Sequence, residues 1–399
     1  MTRRLRVLVV PKWYPWPDRP VFGIFCREHA RALARRHDVA VLASLATPSP
    51  DFMLYWLTDE VEDGLRTLRV RYRRPWLRPA AMGCQLLGML AALWRLRREG
   101  FRPDVVHAHV YSAALPALLL GRVSGAIVVV TEHYTGFQRG LVTGVDRRVA
   151  RLAFTAADLV APVSAELAGC LKAIAPQAQI RVMPNVVDTA VFAPAAAQPA
   201  NDHVRLLTVG ALAEKKGHVH LLDAMALLQK KSRAQSPRAF SLDIVGDGEL
   251  RGQMEARAAR LGLSGVVRFH GEVPKEEVAE LMRAADLFVL PSLHENLPCV
   301  LIEAMATGLP SVATRVGGVP ELVDPGAGVL VAPGDPEALA AGIGAALGGD
   351  FDLAQIARRA RESYSYDAVG RGWTAIYDEL SRSRGRTSSA TRRRRASSR

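Results

Sequence analysis

The chain has 399 residues, a formal charge of +13 and an apolar fraction of 49%, enough for two domains with sizeable cores. Cys26, Cys84, Cys170 and Cys299 show no C-x-x-C spacing, which argues against structural zinc or a disulfide framework and fits a reducing cytoplasm. Pro11 cuts the first apolar run too soon for a signal peptide, and the longest apolar stretch, Ala80 to Trp94, falls short of the ~20 residues that span a bilayer.

The positive charge is concentrated. Arg382 to Arg399 holds eight arginines and no acid, and residues 66 to 102 hold ten arginines against Glu99, so the rest carries a net −4. Such patches attract phosphate-rich partners, either anionic lipid head groups or nucleic acid. The tail lacks interleaved aromatics, and charge alone gives non-specific affinity, so specific nucleic-acid binding is not expected.

In chain order, Leu5 to Val10 reads as a buried strand, followed by a loop with Trp13, Tyr14, Pro15, Trp16, Pro17 and Gly23. Phe25 to Arg36 reads as a helix and Val39 to Ala43 as a second strand. Helix-like Ala80–Arg98 places Leu86, Leu87, Leu90, Leu93 and Trp94 near Arg95, Arg97 and Arg98. An apolar face with basic ends suits an anionic membrane surface, and equally suits packing on a sheet. Strands recur at Asp104–Ala108, Ala126–Thr131 and Leu159–Val163, the alternation of a doubly wound parallel sheet. Ligands bind such sheets at the carboxyl ends of strands, where Gly23 and His133 fall. His107 and His109 are read as closing the strand at Asp104–Ala108, a structural role.

Met183-Pro184-Asn185 marks a break, and Ala193 to Ala200 is a linker-like Ala/Pro stretch. A second series follows at Val204–Val209, Ser241–Val245, Val266–Phe269 and Leu287–Leu290. The expected domains are 1–185 and 186–365, then a helix over 366–381 and a tail, 382–399, whose Ser/Arg/Thr composition predicts disorder. Val209 to Gly217 reads as strand end, loop and helix start, where a diphosphate would be cradled and Lys216 would supply charge. Gly246-Asp247-Gly248 after a strand is, alone, only a turn signal.

The most informative phrase runs from Asp286 to Val323. Leu287–Leu290 is a buried strand, Pro291 ends it, Ser292 to Asn296 form a polar loop, and a helix from about Leu297 to Thr307 stops at Gly308-Leu309-Pro310. Glu295 and Glu303 frame the unit with seven residues between them, and eight helical positions cover about 12 Å. That is the scale of a nucleotide diphosphate sugar from ribose to hexose. The helix N-terminus between the glutamates suits a phosphate. Glu303 lies among Leu301, Ile302, Ala304 and Met305, and a carboxylate in apolar company needs a partner or a task.

This phrase, with Gly308-Leu309-Pro310 and Gly317-Gly318-Val319-Pro320-Glu321, closely resembles the Glu-x7-Glu region of the retaining glycosyltransferases of family 4, also called group 1. The resemblance implies an α/β GT-B fold for nearly all of residues 5 to 380: two Rossmann-like doubly wound domains facing across a cleft, with the acceptor held by the first. It implies donor sugar hydroxyls on Glu295, ribose hydroxyls on Glu303, and Asn296 and Leu297 in the donor pocket. It places Lys216 and the Gly23 backbone at the diphosphate, Gly246 beside the nucleotide, His270 and Gly271 at the base, and His133 at the donor sugar. Asn185-Val186-Val187-Asp188 resembles the family's Asn-Gly-Val-Asp at the domain junction, a capping and hinge element. Ala211 stands where the family has arginine and Asn296 where it most often has glycine, so the donor pocket is a variant.

The implied reaction moves a sugar, with retention, from a UDP- or GDP-sugar to a hydroxyl of a glycan or glycolipid, in cell-surface polysaccharide, glycolipid or glycoconjugate synthesis. No metal-binding motif is seen and no cofactor is expected, so helix dipole, backbone amides and lysine must stabilise the leaving diphosphate. Retaining hydrolases set two carboxylates ~5 Å apart. The Glu295–Glu303 spacing does not suggest that pair, which favours a front-face substitution. A GT-B sugar-nucleotide epimerase is the alternative; it would turn over without an acceptor. The expected location is cytoplasmic, with peripheral attachment to the inner membrane face left open.

Overall fold

The structure is a computed structural model describing residues 3–47, 54–73, 78–195, 203–235 and 239–396. Arg74, the linker stretch from 196 to 200 and residues 397–399 lie outside them. The chain divides into two units, one of the residues up to Val186 with those from Tyr366 on, the other of Val187–Ser365.

The first unit is built on a seven-stranded sheet: β1 (Arg6–Pro11), β2 (Asp38–Thr47), β3 (Tyr55–Glu62), β4 (Leu65–Arg73), β5 (Val105–His109), β6 (Ile127–Glu132) and β7 (Leu159–Pro162). Their order is β3-β4-β2-β1-β5-β6-β7, and all neighbours are parallel except the β3–β4 hairpin. The crossovers are α1 (Ile24–Ala34), α2 (Arg78–Arg98), α3 (Tyr111–Ser124), α4 (Gly144–Ala156) and, after β7, α5 (Ala165–Ile174). Right-handed crossovers that step toward β7 put α2, α3 and α4 in one layer. With both faces covered, β5, β6 and β7 are buried along their whole length, as their Val-rich runs require.

The β3–β4 hairpin is absent from the strands read in the sequence. Its signal is Asp63-Gly64, a turn with both residues at positive φ (49° and 78°). The hairpin also changes the meaning of the basic segment after residue 66. Arg66 makes two bonds to Asp59 (3.0 and 2.6 Å), Arg95 reaches the same carboxylate at 3.0 Å, and Glu99 bonds Arg66 as well. Arg69, buried against the rings of Tyr14 and Trp16, pairs with Glu62 (2.6 Å) and donates to Pro15 O (3.1 Å). Three of the ten arginines, Arg66, Arg69 and Arg95, are therefore paired with the β3 carboxylates Asp59 and Glu62.

The second unit has a six-stranded, all-parallel sheet: β8 (Val204–Val209), β9 (Phe240–Val245), β10 (Val267–Gly271), β11 (Leu287–Leu290), β12 (Ser311–Thr314) and β13 (Gly328–Val331). Its order is β10-β9-β8-β11-β12-β13, so the winding reverses between β8 and β11. Its helices are α6 (His218–Gln235), α7 (Arg251–Arg260), α8 (Lys275–Ala284), α9 (Cys299–Ala306), α10 (Val319–Leu322), α11 (Pro336–Leu347) and α12 (Leu353–Tyr364). Leu206, Ile244, Val289 and Val312 of the sheet share one core with Leu221, Met225, Leu339 and Ile343.

The last helix, α13 (Tyr366–Ala396), returns to the first unit and buries Val369, Trp373, Ile376 and Tyr377 in its core. The sequence predicted disorder after Ser381, but the helical backbone continues to Ala396. Arg384 ties this helix to Asp158 (2.9 Å) and to Gly125 O (3.1 Å). Among the described residues no helix is long and apolar enough to cross a membrane.

The bonds from Arg66 hold the Asp59 carboxyl below its ordinary value, so this stabilisation is present above about pH 4 and is lost as pH falls through the lowered value. Asp59→Asn is expected to cost about 1.5 kcal/mol at pH 7 and to flatten the acid limb of stability, as thermal unfolding from pH 2 to 7 would record.

Candidate active site

In the second unit the loops after β8 and β11 meet where the sheet reverses, the place where open α/β sheets bind ligands. Leu293 N donates to Lys215 O at 2.8 Å. Gly217, at φ +63°, lies so close that a Cβ would stand 2.1 Å from Pro291 O. This close approach sets Lys216 Nζ 2.6 Å from Glu295 Oε1, and Ser292 Oγ donates to the same oxygen at 2.8 Å. Glu295 and Ser292 are buried. A buried carboxylate needs such partners, and these two hold it in one rotamer.

Glycine backbone frames the rest. A Cβ on Gly246 (φ +121°) would stand 2.1 Å from Gly210 O, and one on Gly317 (φ +54°) 1.8 Å from Glu295 O. Gly246 N donates to Gly271 O at 2.8 Å, and Gly318 N to Asn296 O at 2.7 Å. His270 Nε2 lies 2.6 Å from Asp243 Oδ1, which holds that side chain against β9. Asn296 and Leu297 are buried. Helix α9 starts at Cys299, two residues later than expected, because Pro298 takes the cap position. Glu303 follows within α9, between buried Leu301, Ile302, Ala304 and Met305. Ala211 is exposed at the mouth of the β8 loop. Lys216, Glu295 and Asn296 thus share one loop pair, with Gly246, His270 and Gly271 at the neighbouring strand ends.

In the first unit Gly23 caps α1 at φ +71°, where a Cβ would stand 2.3 Å from the Trp13 carbonyl carbon. His133 follows β6 and joins three other histidines. Its Nε2 lies 3.0 Å from His109 Nδ1, and its ring centroid is 5.4 Å from that of His29. His107 stacks on His109 and is held by Thr131 Oγ1 (2.6 Å) and Tyr377 OH (2.7 Å). Asn185 bonds His29 at 3.4 Å and also His133. Burial keeps all four rings neutral at pH 7, with the pKa lowered to about 4 for His29, to about 3 for His107, and well below 6.5 for His109 and His133.

Glu132 fixes this loop. Fully buried, it accepts at 2.8 Å from the backbone N–H groups of Tyr111, His133 and Tyr134. Val110, beside His109, sits at φ +74°, strained for a β-branched residue, and its N donates to Thr131 O at 2.8 Å. His107 and His109, read in the sequence as strand-closing residues, therefore belong to the His133 cluster. His29, Glu132 and Ser292 are further residues of these clusters; the sequence signal for Glu132 is a carboxylate at the end of a strand that is apolar up to Thr131. Among the described residues no group of three or more His, Cys, Asp or Glu is arranged to hold a metal ion.

The profile of "Glycosyl transferases group 1" matches residues 193–363, and that of "Glycosyltransferase Family 4" residues 23–191. Glycogen synthase of Mycobacterium tuberculosis (strain H37Rv) is 31% identical over 390 residues, covering 91% of each chain. This chain belongs to glycosyltransferase family 4. Its two Rossmann-like units are the GT-B fold. Sucrose-phosphate synthase from Thermosynechococcus elongatus covers 96% of this chain and 100% of its own at a TM-score of 0.73 and 22% identity. Anabaena HepE, solved in complex with UDP, covers 94% and 100% at 0.71 and 18%. The epimerase alternative draws no support from these relatives of the glycosyltransferase.

Burial raises the Glu132 pKa to about 7 against the three amides that lower it. A raised pKa adds stability that is full below the unfolded carboxyl value and is lost as pH rises through about 7. Thermal unfolding between pH 5 and 9 should show this loss in the wild type and not in Glu132→Gln, which cannot ionise.

Proposed function

We propose that this glycosyltransferase moves a sugar, with retention, from a nucleoside-diphosphate sugar to a hydroxyl of a glycan or glycolipid in cell-surface polysaccharide, glycolipid or glycoconjugate synthesis. The observation that carries the reading is the Lys216–Glu295–Ser292 contact at the reversal of the second sheet. A UDP or GDP diphosphate sits against the β8 loop, where Lys216 and the backbone amides meet its charge. Glu295, held in place by Ser292, takes hydroxyls of the donor sugar; Glu303 takes the ribose hydroxyls; His133 positions the sugar. The relative named glycogen synthase and the neighbour solved with UDP support a polymeric acceptor and a nucleotide-sugar donor.

In the step itself, the bond from sugar C1 to the β-phosphate oxygen breaks and the bond from C1 to the acceptor oxygen forms on the same face. The acceptor's proton passes to the departing phosphate oxygen. No protein nucleophile is needed. Since Lys216 is already paired with Glu295, and Ala211 supplies no charge, much of the leaving-group stabilisation falls to backbone N–H groups. A screen of UDP-, GDP- and ADP-sugars, with the product anomer read by NMR, tests the reading; inversion would exclude it. Glu295→Gln is expected to lower kcat about 10²-fold, and Glu303→Ala to raise the donor KM. Unchanged donor affinity and turnover in Glu303→Ala would remove the ribose assignment.

A second element of the reading concerns the α2–α4 layer. Its outward side exposes Leu87 and Trp94 of α2 and Val145 and Leu152 of α4, beside exposed Arg147, Arg148 and Arg151. Arg98 lies over the Trp94 ring at 4.6 Å. Met89, Ala92, Leu93 and Leu96 of α2 face the protein instead, so the helix both packs on the sheet and presents a second apolar stripe. Apolar side chains set among arginines fit an anionic bilayer. The chain is expected to sediment with phosphatidylglycerol vesicles and not with phosphatidylcholine ones, and Trp94→Glu with Leu152→Glu should abolish this. If instead removal of residues 385–399 abolishes it and the double variant does not, the tail and not this face makes the contact.

A further inference from the structure

The loops leaving β1, β5 and β6 gather aromatic rings at the carboxyl end of the first sheet. Trp13 follows β1, Tyr111 begins α3 after β5, and Tyr134 follows β6. The Trp13 and Tyr134 ring centroids are 5.9 Å apart, and those of Tyr134 and Tyr111 are 6.4 Å apart. Phe25 of α1 joins Trp13 (6.3 Å) to His133 (4.7 Å). Trp13, Tyr111 and Tyr134 are each half-buried, so part of every ring stays open. The backbone holds them in place. Gly23 packs on Trp13 too closely for a Cβ, Gly136 leaves room for the Tyr134 ring, and the Tyr134 N–H is bonded to Glu132. Burial raises the Tyr111 pKa to about 12, so its hydroxyl stays protonated at neutral pH.

Lys12 stands at the head of this group. Its backbone N–H donates to His109 O at 3.1 Å. Its side chain is exposed and makes no ion pair or hydrogen bond with the described residues, while desolvation lowers its pKa. Lys216 and Lys275, by contrast, each meet a carboxylate, Glu295 at 2.6 Å and Asp188 at 2.9 Å. We propose that Lys12, with Trp13, Tyr111 and Tyr134, forms an acceptor subsite for an acidic sugar, a pyranose that carries a carboxylate or a phosphate. A pyranose has an apolar C–H face and a polar rim, which match aromatic rings set beside hydroxyls. Its negative group answers the Lys12 ammonium through a charge-assisted hydrogen bond. The aromatic wall ends at His133, so a sugar lying on it stands next to the donor sugar that His133 positions. That placement rests on the function proposed above; the preference for an acidic sugar does not.

Ligand-observed NMR titration of the full chain, without donor, tests the subsite. The probes are methyl glucuronide, methyl galacturonide and glucose 6-phosphate, each against its neutral counterpart. An acidic sugar is expected to bind about tenfold tighter than its counterpart, and to lose that advantage as salt is raised. The carboxylate and phosphate arms show which anion fits. Lys12→Gln should bring the acidic sugar down to the affinity of the neutral one, and Trp13→Leu should weaken both together. The proposal fails if no acidic sugar outbinds its counterpart, if the preference survives in Lys12→Gln, or if Trp13→Leu binds as the wild type does. It also fails if Lys12→Gln weakens UDP instead, which would assign the lysine to the donor diphosphate. Absence of sugar transfer from every donor would remove the proposed function and leave the binding result standing, so the two failures are distinguishable.

Discussion

Parallel strands covered on both faces drive most polar side chains to the strand ends, where loops emerge. Both units obey this constraint. In the second, the strands beside the reversal end at Val209 and Leu290, and polar groups of the loops that follow, Lys216, Ser292 and Glu295, converge at bonding distance. In the first, β5 and β6 end in His109 and Glu132, and the cluster forms at once.

Convergence at such ends requires the backbone to come closer than side chains permit. Glycine solves this at Gly217, Gly246 and Gly317, where a Cβ would strike a carbonyl oxygen at 2.1 Å or less. The same economy governs charge. Glu295 is buried with a lysine and a hydroxyl, and Glu132 with three amides, so neither is an isolated ion. Neutral histidines fill the remaining polar space of the first unit because a protonated ring there would be desolvated beside its neighbours.

The elements that were legible in the sequence are those whose patterning is local. Leu287–Leu290 and Val204–Val209 stand where the apolar runs put them. The β3–β4 hairpin was not legible, since Tyr55–Glu62 mixes exposed charges with aromatics on a half-covered edge. Nor was the pairing of Arg66, Arg69 and Arg95, because Asp59 and Glu62 lie just outside the basic window.

By itself the sequence determined the repeated β-α alternation, the position of the Glu295–Glu303 phrase on a strand, loop and helix, and the family that phrase implies. Each depends on residues near one another in the chain. Only the tertiary structure decided which groups share a proton or an ion pair: Lys216 with Glu295, 79 residues apart, and His109 with His133, 24 apart. Strand order creates those contacts, and strand order is settled by packing of whole layers, which no local pattern of residues encodes.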